Sequence, residues 1–116
     1  MAIGGGAPSP RSLDGRATLL ADDGTYLGLI SSNKYDSDSV CNKYGEYGSK
    51  YASTSVRNKY GTYGSAYSSS SAYNKYTSSP PAIILGGVQV GYLTKNSVLS
   101  GAIDPDILFA TYDCVW

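Results

Sequence analysis

Asn-Lys-Tyr occurs four times in this 116-residue chain, at 33–35, 42–44, 58–60 and 74–76. Each copy sets a flexible cation beside a large ring with a polar tip, a pairing that can stack on a flat ligand and touch an anion. Around two of the copies the tyrosines recur with one internal spacing: Tyr44, Tyr47 and Tyr51, then Tyr60, Tyr63 and Tyr67 sixteen residues on. These six are the candidate binding residues. Tyr, Ser, Asn and Gly together form the palette of adaptable recognition loops, and the same groups suit sugar hydroxyls and ring faces. A competing use is structural. Between Cys41 and Ala82 the only aliphatic side chain larger than alanine is Val56, so these rings are also what an ordered middle would have to bury.

Other chemistry is sparse. The chain has no histidine, which removes the commonest general base, transition-metal ligand and neutral-pH switch together. Its serines include none in a Gly-x-Ser-x-Gly elbow, and Glu46 is the only glutamate. No catalytic residue and no cofactor is expected, and the protein is read as not an enzyme. Asp36 and Asp38, alternating with serines, come nearest to a cation site. Calcium wants six to eight oxygens from converging carboxylates, and neither the EF-hand nor the glycine-rich calcium spacing is present, so turn capping is the reading taken. Cys41 and Cys114 stand 73 residues apart, which fits no metal or redox motif and leaves two readings open, free thiols or a single disulfide.

The elements that must position these residues can be read on either side of them. Asp23-Gly24 between two apolar runs signals a hairpin over roughly 17–30, and Gly86-Gly87 signals a second over 82–94. The two end alike, in Leu27-Gly-Leu-Ile-Ser-Ser-Asn33 and Val90-Gly-Tyr-Leu-Thr-Lys-Asn96, which suggests duplication. Residues 1–16, rich in Gly, Pro and Ser, read as a flexible arm, with a single domain over 17–116. Asp104-Pro105-Asp106 starts a short C-terminal helix with Ile107, Leu108 and Phe109 on its apolar face. Within the repeat region, 33–76, the units at 42–57 and 58–73 match at ten of sixteen positions. Fixed-period similarity points to a stacked or wound architecture. A helix is rejected because Gly45 and Gly48 would each cost about 1 kcal/mol there. Tight turns at those glycines, with Asn42 and the serines bonding nearby backbone, replace it, against the alternative of a disordered, sticky segment. The fold class expected is mainly β: two hairpins in a small antiparallel sheet or sandwich, turn-rich repeats packed over it, and one short C-terminal helix.

The repeat Asn-Lys-Tyr-Gly-x-Tyr-Gly-Ser-x-Tyr, after an Asp-Gly-Thr-Tyr-Leu-Gly hairpin and before Pro80-Pro81 and Gly-Tyr-Leu-Thr-x-Asn, resembles a group of small bacterial proteins of uncharacterised function. The resemblance covers about residues 18–110 and implies a folded module. Several such proteins are exported, which implies an envelope or extracellular location; this chain shows no signal peptide. The resemblance supplies no activity, ligand or catalytic residue.

Charge narrows the partners. Nine basic and nine acidic residues cancel over the whole chain, although 33–76 carries six basic against three acidic. A balanced protein with so mild a local excess disfavours nucleic acid. No stretch reaches the ~18 apolar residues of a membrane span. The function expected is a non-catalytic structural or interaction module whose tyrosine-rich surface contacts itself, another protein or a glycan. A ligand-binding protein for calcium or a glycan is the alternative.

Overall fold

A computed structural model describes residues 7–116. Five strands form one mixed sheet in the order β2-β1-β3-β4-β5. They are β1 (Ala17–Leu20), β2 (Tyr26–Ile30), β3 (Ala82–Leu85), β4 (Val88–Leu93) and β5 (Ala102–Ile103), with helices α1 (Pro10–Leu13) and α2 (Pro105–Thr111) at the two ends. The two expected hairpins are present and share one sheet, not a sandwich. Their inner strands pair antiparallel, with Leu19 opposite Ile83. Outside the hairpins, β5 adds to β4 in parallel, a two-residue strand with no alternation to announce it.

The turns explain the hairpins, and one differs from expectation. Gly86 and Gly87 both take positive φ (60° and 80°), as the two-residue hairpin turn requires. At the first hairpin only Gly24 does (φ 89°); Asp23 does not. Gly24 N–H instead closes a turn on the Ala21 carbonyl, Ala21 N–H bonds Thr25, and the pairing shifts register between Leu19 and Leu20. This is a three-residue loop with a glycine bulge, the next commonest hairpin closure.

Residues 10–16, expected within a flexible arm, are docked. Leu13 is fully buried, the Asp14 carboxylate accepts both the Ser32 amide and hydroxyl at 2.7 Å, and the buried Tyr112 donates to the Pro10 carbonyl. The arm's residues 1–6 lie outside the described residues. In α2, Asp104 caps the Asp106 amide at 2.8 Å as its sequence foretold, while Leu108 and Phe109 point inward and Ile107 outward.

Between the hairpins the chain winds. Ser39 Oγ donates to the Ser31 carbonyl, Ser55 Oγ to Tyr47, Thr54 Oγ1 to Glu46 and Thr77 Oγ1 to Ser69, each exactly eight residues back. The sixteen-residue sequence repeat is therefore two eight-residue windings. The inward position recurs at Val40, Gly48, Val56, Gly64, Ala72 and Pro80, all buried. Gly48 and Gly64 are fixed by space: a Cβ on either would lie 2.1 or 2.2 Å from the carbonyl oxygen of Asn42 or Asn58. The first winding bonds the outer edge of β2 (Leu29 with Asp38 and Val40), and the Ala72 carbonyl takes the Lys95 amide after β4. Val40, Val56 and Ala72 thereby join Leu19, Ile83 and Leu108 in one buried cluster. Gly48→Ala is expected to cost about 2 kcal/mol, since backbone must move to admit the methyl, and a urea midpoint unchanged from wild type would contradict this account.

Candidate functional site

Each winding ends in an outward tyrosine. Tyr35, Tyr44, Tyr51, Tyr60, Tyr67 and Tyr76 are 82 to 98% exposed. Local hydrogen bonding sets them there. The amide of each is held by a side-chain oxygen two residues earlier: Asn33, Asn42, Ser49, Asn58, Ser65 and Asn74, at 2.9 to 3.1 Å. Asn42, Asn58 and Asn74 also donate to carbonyls six residues back, tying the turn to its winding. Residues on a winding of eight recur in phase, so the rings form two adjacent columns, 35-51-67 and 44-60-76, on one face.

Of the six tyrosines singled out in the sequence, four (44, 51, 60 and 67) stand in this ladder. Tyr47 and Tyr63 do not; they turn to the sheet. Tyr47 meets Tyr26 edge-on at 5.2 Å, and the buried Tyr63 donates to Asp23 Oδ2 at 2.7 Å and meets Thr25 Oγ1 at 3.1 Å. The repeated tyrosines thus serve both competing uses, with exposed rings and inward rings alternating. Tyr35 and Tyr76 complete the ladder and were missed, as was Lys50. The signal that finds them is an Asn or Ser two residues ahead, where Tyr47 and Tyr63 have Gly45 and Gly61.

A lysine precedes five of the six ladder rings, Ala66 being the exception, and all five are exposed. Lys43 and Lys75 lie 5.4 and 5.3 Å from the centres of their own tyrosine rings, within cation–π reach. Lys34 pairs loosely with Asp113 at 3.9 Å; Lys43, Lys50, Lys59 and Lys75 have no ion pair among the described residues.

Beside the ladder runs a trough of four linked hollows. The first, about 420 Å³, lies among Lys34, Tyr35, Lys43, Tyr44 and Trp116. Trp116 is shared with the second, about 570 Å³, which Arg57, Tyr73, Asp106 and Phe109 also line. Lys59 and Tyr73 lead into the third, about 470 Å³, between Tyr67, Lys75 and Lys95. Tyr67 and Lys75 continue into the last, which Tyr76 closes. The trough walls carry six basic residues against two acidic ones.

Repeat positions 41, 57 and 73 build its floor. Ser39, Ser55 and Ser71 each hold the amide two residues on at 3.0 Å, presenting Cys41, Arg57 and Tyr73 to the C-terminal segment. Cys41 forms a disulfide with Cys114, the second of the two thiol readings, with the Cα atoms 5.4 Å apart. Arg57 is sandwiched by Phe109 and Trp116 and donates to the Cys114 carbonyl. Tyr73 donates to Asp106 at 2.8 Å, whose carboxylate also takes Lys95 at 2.7 Å. The Lys95 hydrogen bond holds Asp106 below the usual carboxylate range, with Tyr73 adding to it. Burial pushes the Tyr73 and Tyr112 hydroxyls well up, and burial with the Asp38 hydrogen bond pushes Tyr26 to about 12.

A tyrosine whose folded value is raised stabilises fully below pH ~10 and loses that contribution as pH rises through the folded value. Arg57, lowered by burial to about 10, works the other way, but it is one group against three. Stability is expected to fall as pH rises from about 10 to 12, and urea midpoints flat over that window would contradict it.

The aspartates at 36 and 38 are used locally. Asp36 Oδ1 accepts the Asp38 amide at 2.8 Å, and Asp38 Oδ2 accepts from Tyr26 at 3.1 Å. No group of three or more carboxylates or cysteines that could hold a metal forms among the described residues, and no described helix is long and apolar enough to cross a membrane. No known family model matches the chain, nor does any curated protein or solved structure.

Proposed function

We propose that the protein is a non-catalytic interaction module and that the tyrosine ladder is its contact surface. The observation that carries this reading is six rings left almost wholly in solvent while their backbone amides are individually pinned. An exposed apolar array of this kind marks a contact surface more often than a monomer's ordinary exterior. Rings on fixed turns bind with little ordering cost, because a tyrosine has only two side-chain torsions to lose. The disulfide supports a location outside reducing compartments, in line with the envelope or exterior implied by the resemblance.

The test replaces Tyr44, Tyr60 and Tyr76 by serine together, leaving the inward tyrosines alone. These rings are 82 to 98% exposed, so thermal unfolding is expected to match wild type. Self-association by sedimentation velocity and retention on immobilised glycans are then compared. At least one of the two is expected in wild type, weakened about tenfold or more in the variant. Interactions indifferent to the three substitutions would refute the reading.

A further inference from the structure

We propose that the ladder and its trough bind a linear acidic glycan, each sugar ring lying on a tyrosine and its anionic group on a neighbouring lysine. The proposal rests on the ladder being a contact surface and names what it contacts. Three observations carry it. By the eight-residue winding the six exposed rings recur at a regular spacing, which suits an extended polymer with a short repeat. The cations are in register with the rings, one ahead of each of Tyr35, Tyr44, Tyr51, Tyr60 and Tyr76. At Tyr67, where Ala66 replaces the lysine, the surface opens into the third hollow. Tyr67 and Tyr73 wall it, and Lys59 and Lys75, both without an ion pair among the described residues, flank it. Lys95 reaches the same hollow, but Asp104 and Asp106 already match its charge. A hollow of about 470 Å³ with aromatic walls and two ammonium groups lacking a carboxylate partner among the described residues accommodates a ring bearing a carboxylate or sulfate.

Single-stranded nucleic acid has related chemistry and is the less favoured polymer. Its binding would also join base stacking to phosphate contact, but the Tyr, Ser and Asn groups of the repeats suit sugar hydroxyls as well as ring faces. The disulfide also favours an oxidising setting over the cytoplasm, where nucleic acid is handled.

Affinity electrophoresis of the intact disulfide-bonded protein through gels containing polygalacturonate, dextran, poly(dT) or polyacrylate tests this. Polygalacturonate is expected to retard it most. Lys59→Gln with Lys75→Gln, and separately Tyr67→Ser, should each weaken retardation roughly tenfold without changing the melting temperature. Raising salt from about 0.05 to 0.5 M should weaken it by a similar factor. Equal retardation by dextran, with the lysine variant silent, would overturn the acidic requirement while the ladder stands as the contact surface. Stronger retardation by poly(dT) would replace the glycan with nucleic acid. Polyacrylate matching polygalacturonate would reduce the site to charge alone and overturn the stacking role. Retardation by none of them, with the tyrosine triple variant still losing self-association, would remove the glycan and keep the contact surface. If that variant leaves every interaction intact, both readings fall.

Discussion

Removing the Cys41–Cys114 bridge is expected to lower stability by about 4 kcal/mol. The bridge closes a loop of 73 residues, and the entropy returned to the unfolded chain on opening a loop of that length is of this size. For a domain whose total stability lies in the usual range of about 5 to 15 kcal/mol, the loss is a large fraction and corresponds to a melting temperature lower by roughly 15 °C. The native state also changes locally. Asp113, Val115 and Trp116 line the trough, and without the bridge this segment is held by the Arg57 sandwich and by Trp116 Nε1 on the Gly48 carbonyl at 3.0 Å. Both cysteines are about 1% exposed, so reductant acts only when the tail opens. Thermal unfolding of Cys41→Ala with Cys114→Ala, beside wild type with and without reductant, separates loss of the bridge from thiol chemistry. A double variant melting with the oxidised protein would show that the tail is held by its packing alone.

How much of this was legible in the sequence depends on the range of the forces involved. The hairpins were legible because Asp-Gly and Gly-Gly act within four residues, and the α2 cap because Asp104-Pro105 does too. The β1–β3 pairing was not. It joins residues more than sixty apart, and nothing local encodes which edge meets which. The sixteen-residue period was plain, but the eight-residue winding was hidden. Its inward position alternates Val40, Gly48, Val56 and Gly64, and its turn residue alternates Asn with Ser, so half-units do not look alike. Which tyrosines face out was readable only through the turn chemistry: an Asn or Ser two residues ahead pins the amide, and a glycine there lets the ring turn in. Tyr73 shows where that rule stops. Ser71 pins its amide as it should, yet the ring is drawn to the C-terminal helix by Asp106, a partner 33 residues away.

Arg57→Ala is expected to cost about 3 kcal/mol, the second largest effect of any single change considered. Arg57 occupies the same repeat position as Cys41 and Tyr73, and all three anchor the C-terminal segment. Its guanidinium lies 3.4 Å from the centre of the Phe109 ring and 4.1 Å from that of Trp116. Desolvated stacking of this kind contributes on the order of 2 kcal/mol. Its Nη2 donates to the Cys114 carbonyl at 2.6 Å and lies 3.0 Å from the Cys114 sulfur, so truncation leaves a buried acceptor unpaired, at about 1 to 3 kcal/mol. Offsetting these, burying a charge is itself costly; that burial lowers the Arg57 pKa to about 10, and its Nε has no partner. Arg57→Met separates the two contributions. It keeps the apolar stem against both rings and removes the charge, so it is expected to cost about half as much as alanine. Arg57→Lys keeps the charge and loses the planar stack, and should fall nearer alanine. The order Met, Lys, Ala in urea midpoint would show that stacking and volume outweigh charge at this position. Lysine matching wild type would show the reverse, and the anchor would then be electrostatic.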